Sequence, residues 1–97
     1  MGTSEFEAER LLEVGMNMYQ LGDYNQAVEY LKQGLQKRPE DWTSRLYLAM
    51  SYYRTGRLAL SRVEFRRILD GCMDRELRLK AATALAATNQ DINQAPY

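Results

Sequence analysis

The sequence predicts an all-α chain built as a solenoid of helical hairpins. Three observations carry this. Residues 8–41 recur 34 positions later as residues 42–75, with Leu12 on Leu46, Met16 on Met50, Tyr19 on Tyr53, Gly22 on Gly56 and Leu35 on Leu69. Within each copy, two runs place apolar residues at helical spacing. A glycine splits the runs at the same place in both copies, at Gly22 and Gly56. A helix–turn–helix unit of this length cannot bury its apolar faces alone, so successive copies stack.

The first helix is expected over 5–21, with Leu11, Leu12, Val14, Met18 and Leu21 at helical spacing. Ser4, with Glu7 three residues on, has the spacing of a capping box. Gly22 ends this helix, because glycine takes a left-handed backbone at little cost. Asp23 is placed to cap the next. The second helix is expected over 24–37, with an apolar stripe of Ala27, Val28, Leu31 and Leu35. Lys32, Lys37 and Arg38 suit the negative end of its dipole. Pro39 stops it, since proline lacks an amide proton and restricts the residue before it. Asp41 or Thr43 caps a third helix over 42–55, whose inner side holds Leu46, Leu48, Ala49 and Tyr52.

Gly56 repeats the turn of Gly22. A fourth helix over 58–69 offers Leu58, Phe65, Ile68 and Leu69 to the core, and Gly71 ends it. Asp74 caps a fifth helix over 75–88, rich in alanine at positions 81, 82, 84, 86 and 87. Alanine is the best helix former, and its size permits close approach. No second hairpin helix follows; residues 89–97, with Asp91, Asn93 and Pro96, read as a flexible tail. Residues 1–6 read as a vector-derived leader, which leaves room for a longer parent protein. The domain is then 7–88, with repeats 8–41 and 42–75 and a capping helix 75–88.

Ninety-seven residues make one small domain with a modest core. Thirteen basic and thirteen acidic side chains cancel, which argues against general polyanion binding. The charges are unevenly spread. Residues 1–44 hold four basic and eight acidic side chains, and residues 45–97 hold nine and five. An acidic end and a basic end suit head-to-tail contacts. Cys72 is the single cysteine, so no intramolecular disulfide forms, which fits a reducing, cytoplasmic setting. Without a neighbouring histidine or second cysteine it reads as a spectator thiol. The lack of histidine removes the commonest metal ligand and general base. No apolar run approaches the roughly 20 residues of a membrane span, and no signal-peptide pattern opens the chain. No carboxylate pair, phosphate loop or nucleophile motif stands out. An enzyme is not expected, and neither is a cofactor or a metal site.

The first unit closely resembles the tetratricopeptide repeat family. The family's slots along the two helices hold Leu11, Val14, Gly15 and Met18, then Ala27, Leu31, Gly34 and Pro39. Gly15, Ala27 and Gly34 are small where two helices cross closely, and the larger residues fill the gaps. The second unit holds Arg45, Leu48, Ala49 and Tyr52, then Ser61, Phe65 and Ile68. It departs at Arg45, which replaces a large apolar residue, and at Met73, which stands in the proline slot. The third is half a unit, with Leu79, Ala82, Thr83 and Ala86. The resemblance implies a right-handed α–α superhelix that serves as a non-catalytic protein-interaction module.

In this family the first helix of each unit, the A helix, lines the concave face. The resemblance puts Glu9, Leu12, Met16, Tyr19 and Gln20 there in unit one. It puts Thr43, Leu46, Met50, Tyr53 and Arg54 there in unit two, and Leu77, Lys80, Ala84, Ala87 and Thr88 in unit three. Three of the five identities between units fall in these slots. The expected ligand groove is therefore Leu12, Met16, Tyr19, Leu46, Met50 and Tyr53, with Arg54 and Lys80 as isolated cations. Methionine adapts its shape and tyrosine gives large area with a polar tip, which suits a partner helix or apolar peptide. The same residues suit packing between adjacent A helices, and the two roles are compatible. A family subclass clamps the C-terminal carboxylates of chaperones with cations and asparagines. The corresponding positions here, Leu12, Met16, Thr43, Tyr47, Leu77 and Ala81, do not match, so no such clamp is expected.

Two alternatives stand beside groove binding. One is a structural assembly element that stacks through the repeat ends or self-associates. The other is binding of an acidic partner or nucleic acid through Arg57, Arg62, Arg66 and Arg67 on or near the fourth helix. Against the second, that helix turns its outer side to solvent, and Glu64 and Asp70 dilute its charge.

Overall fold

The computed structural model describes residues 3–94, and the side chains of 6–94. Five helices follow one another: α1 (Thr3–Gln20), α2 (Tyr24–Lys37), α3 (Trp42–Arg54), α4 (Leu58–Gly71) and α5 (Arg75–Asn93). α1 pairs with α2, and α3 with α4; α2 packs on α3 and α4 on α5. The body is elongated, 49 × 29 × 18 Å. α1 also touches α3, and α3 touches α5. The odd-numbered helices thus form one continuous face, with α2 and α4 behind it.

The turns follow from local chemistry. Gly22 (φ 85°) and Gly56 (φ 78°) adopt the left-handed backbone that each hairpin turn requires. Behind them the Asp23 amide donates to Met18 O and the Arg57 amide to Tyr52 O, closing the same helix-ending loop in both hairpins. Asp23, Asp41 and Asp74 each accept a backbone N–H three residues on, from Gln26, Ser44 and Leu77. The third helix is therefore capped by Asp41 and not by Thr43. α1 begins at Thr3, so Ser4 lies within the helix and does not cap it.

Two apolar clusters fill the stack. The first joins Leu12, Ala27, Val28, Leu31, Leu35, Leu48 and Tyr52 across α1, α2 and α3. The second joins Leu46, Ala49, Phe65, Ile68, Cys72 and Ala81 across α3, α4 and α5. Each cluster crosses a repeat boundary, so neither hairpin buries its apolar face without its neighbour. Leu21, expected on the first stripe, follows the end of α1 and stands in solvent.

Glycine spacing sets the closest approach. A Cβ on Gly15 would lie 2.6 Å from Leu31 Cγ, and one on Gly34 would strike the Leu12 side chain. Each leucine fills the hole left by the glycine on the facing helix. Gly71 ends α4 without a left-handed backbone; its missing side chain makes room for the Trp42 ring, 2.6 Å from where its Cβ would be.

Arg45, in a slot where an apolar residue was expected, is buried. Its guanidinium donates to Glu64 Oε1 at 2.6 Å and to Pro39 O at 2.9 Å. Glu64 is buried with it, and Arg67 approaches the other carboxylate oxygen at 3.5 Å. Glu64 is thus an interior partner and not a surface charge diluting the α4 arginines.

α5 runs to Asn93, beyond the expected end at 88. Gln90 stands near where the earlier units carry their turn glycines, and nothing breaks the helix there. Most of the expected tail is helical; Pro96 and Tyr97 lie outside the described residues.

Candidate functional site

α1, α3 and α5 position the candidate groove. Tyr19 is its centre. Its ring meets Tyr24 edge-on at 5.1 Å and Tyr47 edge-on at 5.2 Å, and its hydroxyl points at Met50 Sδ, 3.9 Å away. Gln20 Nε2 donates to Tyr47 OH at 3.3 Å, a second tie from α1 to α3. Met16, Tyr19, Met50 and Tyr53 are half-buried, each rooted in the stack with part of its surface facing out. The structure therefore joins Tyr19 and Met50 across the repeat boundary. It adds Tyr47, which the repeat comparison did not place in the groove.

Leu12 and Leu46 do not line the groove. They are 2% and 5% exposed and face the second helix of their own hairpins. Leu12 fills the hole at Gly34, and Leu46 packs with Phe65 and Ile68. Their conservation between the two units is explained by hairpin packing.

Arg54 is exposed and places its guanidinium over the Tyr24 ring at 5.5 Å. This cation–π contact holds it beside Tyr19. Lys80 pairs with Glu76 on its own helix at 3.9 Å, and both side chains are largely solvent-facing. Its counterpart in the second unit is Tyr47 and not Leu46, for a reason that lies in the loop. The α2–α3 connection has four residues, Arg38 to Asp41, and the α4–α5 connection three, Cys72 to Asp74. The third unit is therefore offset by 33 residues from the second, as the capping pair Asp41 and Asp74 shows.

The offset recurs along the helix. Thr55 Oγ1 bonds Ser51 O, and Thr88 Oγ1 bonds Ala84 O. Leu79, not Lys80, is then the counterpart of Leu46, and Thr83 and Ala86 are the counterparts of Met50 and Tyr53. The methionine–tyrosine ladder gives way to small residues on α5.

Tyr53 OH donates to Asp91 Oδ2 on the last turn of α5. This bond, together with the nearby Asp91 charge, raises the Tyr53 phenol above its ordinary 10.0. The phenol of Tyr52 is also raised, chiefly by burial and next by the Glu64 charge. At the other end of the face, an open cleft lies where α3 and α5 begin, bordered by Trp42, Thr43, Met73 and Leu77. Met73 is 88% exposed there.

A family model for the tetratricopeptide repeat matches residues 15–76. The chain belongs to the tetratricopeptide repeat family. Its five helices make two repeats and a terminal helix, with α1, α3 and α5 as the A helices. No curated protein matches the chain. Tetratricopeptide repeats serve generally as protein-interaction modules and are typically non-catalytic. Among the described residues, no helix is long and apolar enough to cross a membrane. The arginines on and beside α4 differ in their freedom. Arg57 is stacked over Tyr52 at 5.3 Å and bonded to Thr55 and Asn25, whereas Arg62 and Arg66 are exposed.

Proposed function

We propose that this repeat module docks a helical or extended segment of another protein on its A-helix face. The carrying observation is the half-buried Met16, Tyr19, Tyr47, Met50 and Tyr53 set on one face. Such residues are anchored by the stack and still offer apolar area and hydroxyl groups. Leu12 and Leu46 support the floor from beneath. Arg54, held over Tyr24, adds a cation at the rim for an acidic group on the partner. A cytoplasmic setting suits the buried Cys72 thiol.

The test is selection of binding peptides from a displayed library, followed by titration against wild type and the Met50→Glu, Tyr53→Ala double variant. Binding should fall at least tenfold in the variant while its helical circular dichroism persists. Unchanged affinity in a folded variant would remove the groove from the account.

A further inference from the structure

Arg45 and Arg78 hold one position in two successive A helices, 33 residues apart, as do the loop residues Pro39 and Cys72 before them. Arg45 Nη2 donates to Pro39 O at 2.9 Å, and Arg78 Nη1 donates to Cys72 O at 3.1 Å. Arg78 Nη1 also donates to Leu69 O. Each arginine is thus tied to the connection that precedes its helix. Beyond that tie they differ. Arg45 Nη1 reaches Glu64 Oε1 on α4 at 2.6 Å, and both residues are buried. Arg78 is exposed, and no carboxylate among the described residues bridges it.

The neighbouring positions repeat the contrast. Leu46 is 5% exposed where α4 packs on α3; Leu79, its counterpart, is 66% exposed. Ala49 is buried, and Ala82, its counterpart, is exposed. α5 therefore presents, uncovered, the seat that α3 offers to α4. The second hairpin is the right template, because α3 and α5 both carry alanine where α1 carries Gly15. Thr83 and Ala86 replace Met50 and Tyr53, so a helix shaped like α4 meets no larger side chain at these positions. What α4 brings to α3 then describes the occupant. Glu64 takes the arginine, and Phe65 and Ile68, one and four positions on, share a buried cluster with Leu46 and Ala49.

We propose that α5 docks an amphipathic helix of a partner protein, with a carboxylate for Arg78 and large apolar residues one and four positions after it for Leu79 and Ala82. Charge selects the acid. Arg75 is also exposed in this first turn, whereas Glu76 is paired with Lys80. Arg78 is already held by two carbonyls, so little side-chain freedom is lost when the carboxylate arrives. Apolar anchors on one face of the incoming helix supply the rest. The site is separate from the groove: in the second unit α4 covers Arg45 and Leu46 and leaves Tyr47 and Met50 half-buried. A single docked helix covers less than the roughly 1,200 Å² of a stable complex. The complex is accordingly weak and salt-sensitive.

A synthetic peptide of residues 57–72, the α4 sequence, serves as the probe. It is titrated into the 97-residue chain carrying methyl-labelled leucine and alanine, and read by NMR. The Leu79 and Ala82 methyl signals should shift saturably. A Glu64→Gln peptide should bind at least fivefold more weakly, and so should the wild-type peptide to an Arg78→Glu chain. A Glu64→Arg peptide should recover binding to that chain. Arg78 also holds the end of α4, so the Glu64→Gln peptide, which leaves the chain unaltered, decides the matter if R78E does not fold. Absence of a saturable shift at Leu79 and Ala82 overturns the proposal, as does equal affinity of the Glu64→Gln and wild-type peptides. Shifts at Leu46 in place of Leu79 mean exchange with the chain's own α4 and overturn it. Shifts at Leu79 that follow chain concentration without peptide place a second copy on this face and overturn it too.

Discussion

Arg45 and Glu64 place a charged pair where the repeat usually keeps apolar packing. The pair is well made: one oxygen bridged at 2.6 Å, a backbone carbonyl for the second amino group, and little solvent around either side chain. Its cost is the loss of hydration for both ions, and Arg45 Nε has no partner. Breaking one side leaves a buried charge. Glu64→Ala should therefore cost about 3–5 kcal/mol in denaturant unfolding. Arg45→Met with Glu64→Leu should come close to wild type, since matched apolar residues avoid desolvation altogether. The glycines give a second test at this scale. Gly15→Ala gains roughly 1 kcal/mol of helix propensity but drives a methyl into Leu31, at a cost of about 1–3 kcal/mol. A net loss should appear in unfolding midpoints, and Leu31→Ala in the same background should recover part of it. The sequence marked Gly15 and Gly34 as small slots through the repeat pattern. It marked Arg45 only as a departure, because pairing with Glu64, 19 residues away, has no local signature.

Among the elements, α5 departs furthest from expectation. Its start was legible from Asp74, and the 33-residue spacing to Asp41 was present in the sequence. The strict 34-residue register between the first two units hid it, and one residue of slip rotates a helix by about 100°. That rotation is why Leu79 takes the position of Leu46 and Lys80 that of Tyr47. The end of α5 was set too early because Asp91 and Asn93 read as helix breakers, whereas Asp91 is held by Tyr53 across the stack. This tie gives a pH signature. Tyr53 and Tyr52 both have raised phenol pKa values, so the folded state holds these protons more tightly than the unfolded chain. Their contribution to stability is fully present below the free phenol value of 10.0 and is lost as pH rises through the raised values. Ultraviolet phenolate titration should show two late-ionising tyrosines, and Asp91→Ala should return Tyr53 toward ordinary titration while leaving Tyr52 late. Capping is simpler to check: Asp41→Ala should cost about 1 kcal/mol.

As a whole, the molecule is a short stack whose cores lie between units and whose A helices carry the half-buried Met16, Tyr19, Tyr47, Met50 and Tyr53. The fold was legible because a repeat states its period, its turns and its crossing points in plain residue types. The groove was legible only in part. A repeated residue is kept for any role that recurs, and hairpin packing recurs as faithfully as ligand contact. Leu12 and Leu46 were repeated for the first reason; burial, which separates the two roles, is a property of the assembled stack.

The methionines supply the most direct measurement. Met16 and Met50 are half-buried on α1 and α3, in the proposed groove, whereas Met73 is exposed at the edge of the cleft near the α4–α5 connection. With methyl-labelled methionine and a peptide selected for binding, titration by NMR should move the Met16 and Met50 methyl signals saturably, with Met73 little changed. A saturable shift at Met73 with Met16 and Met50 unmoved would place the partner elsewhere and contradict docking on the A-helix face.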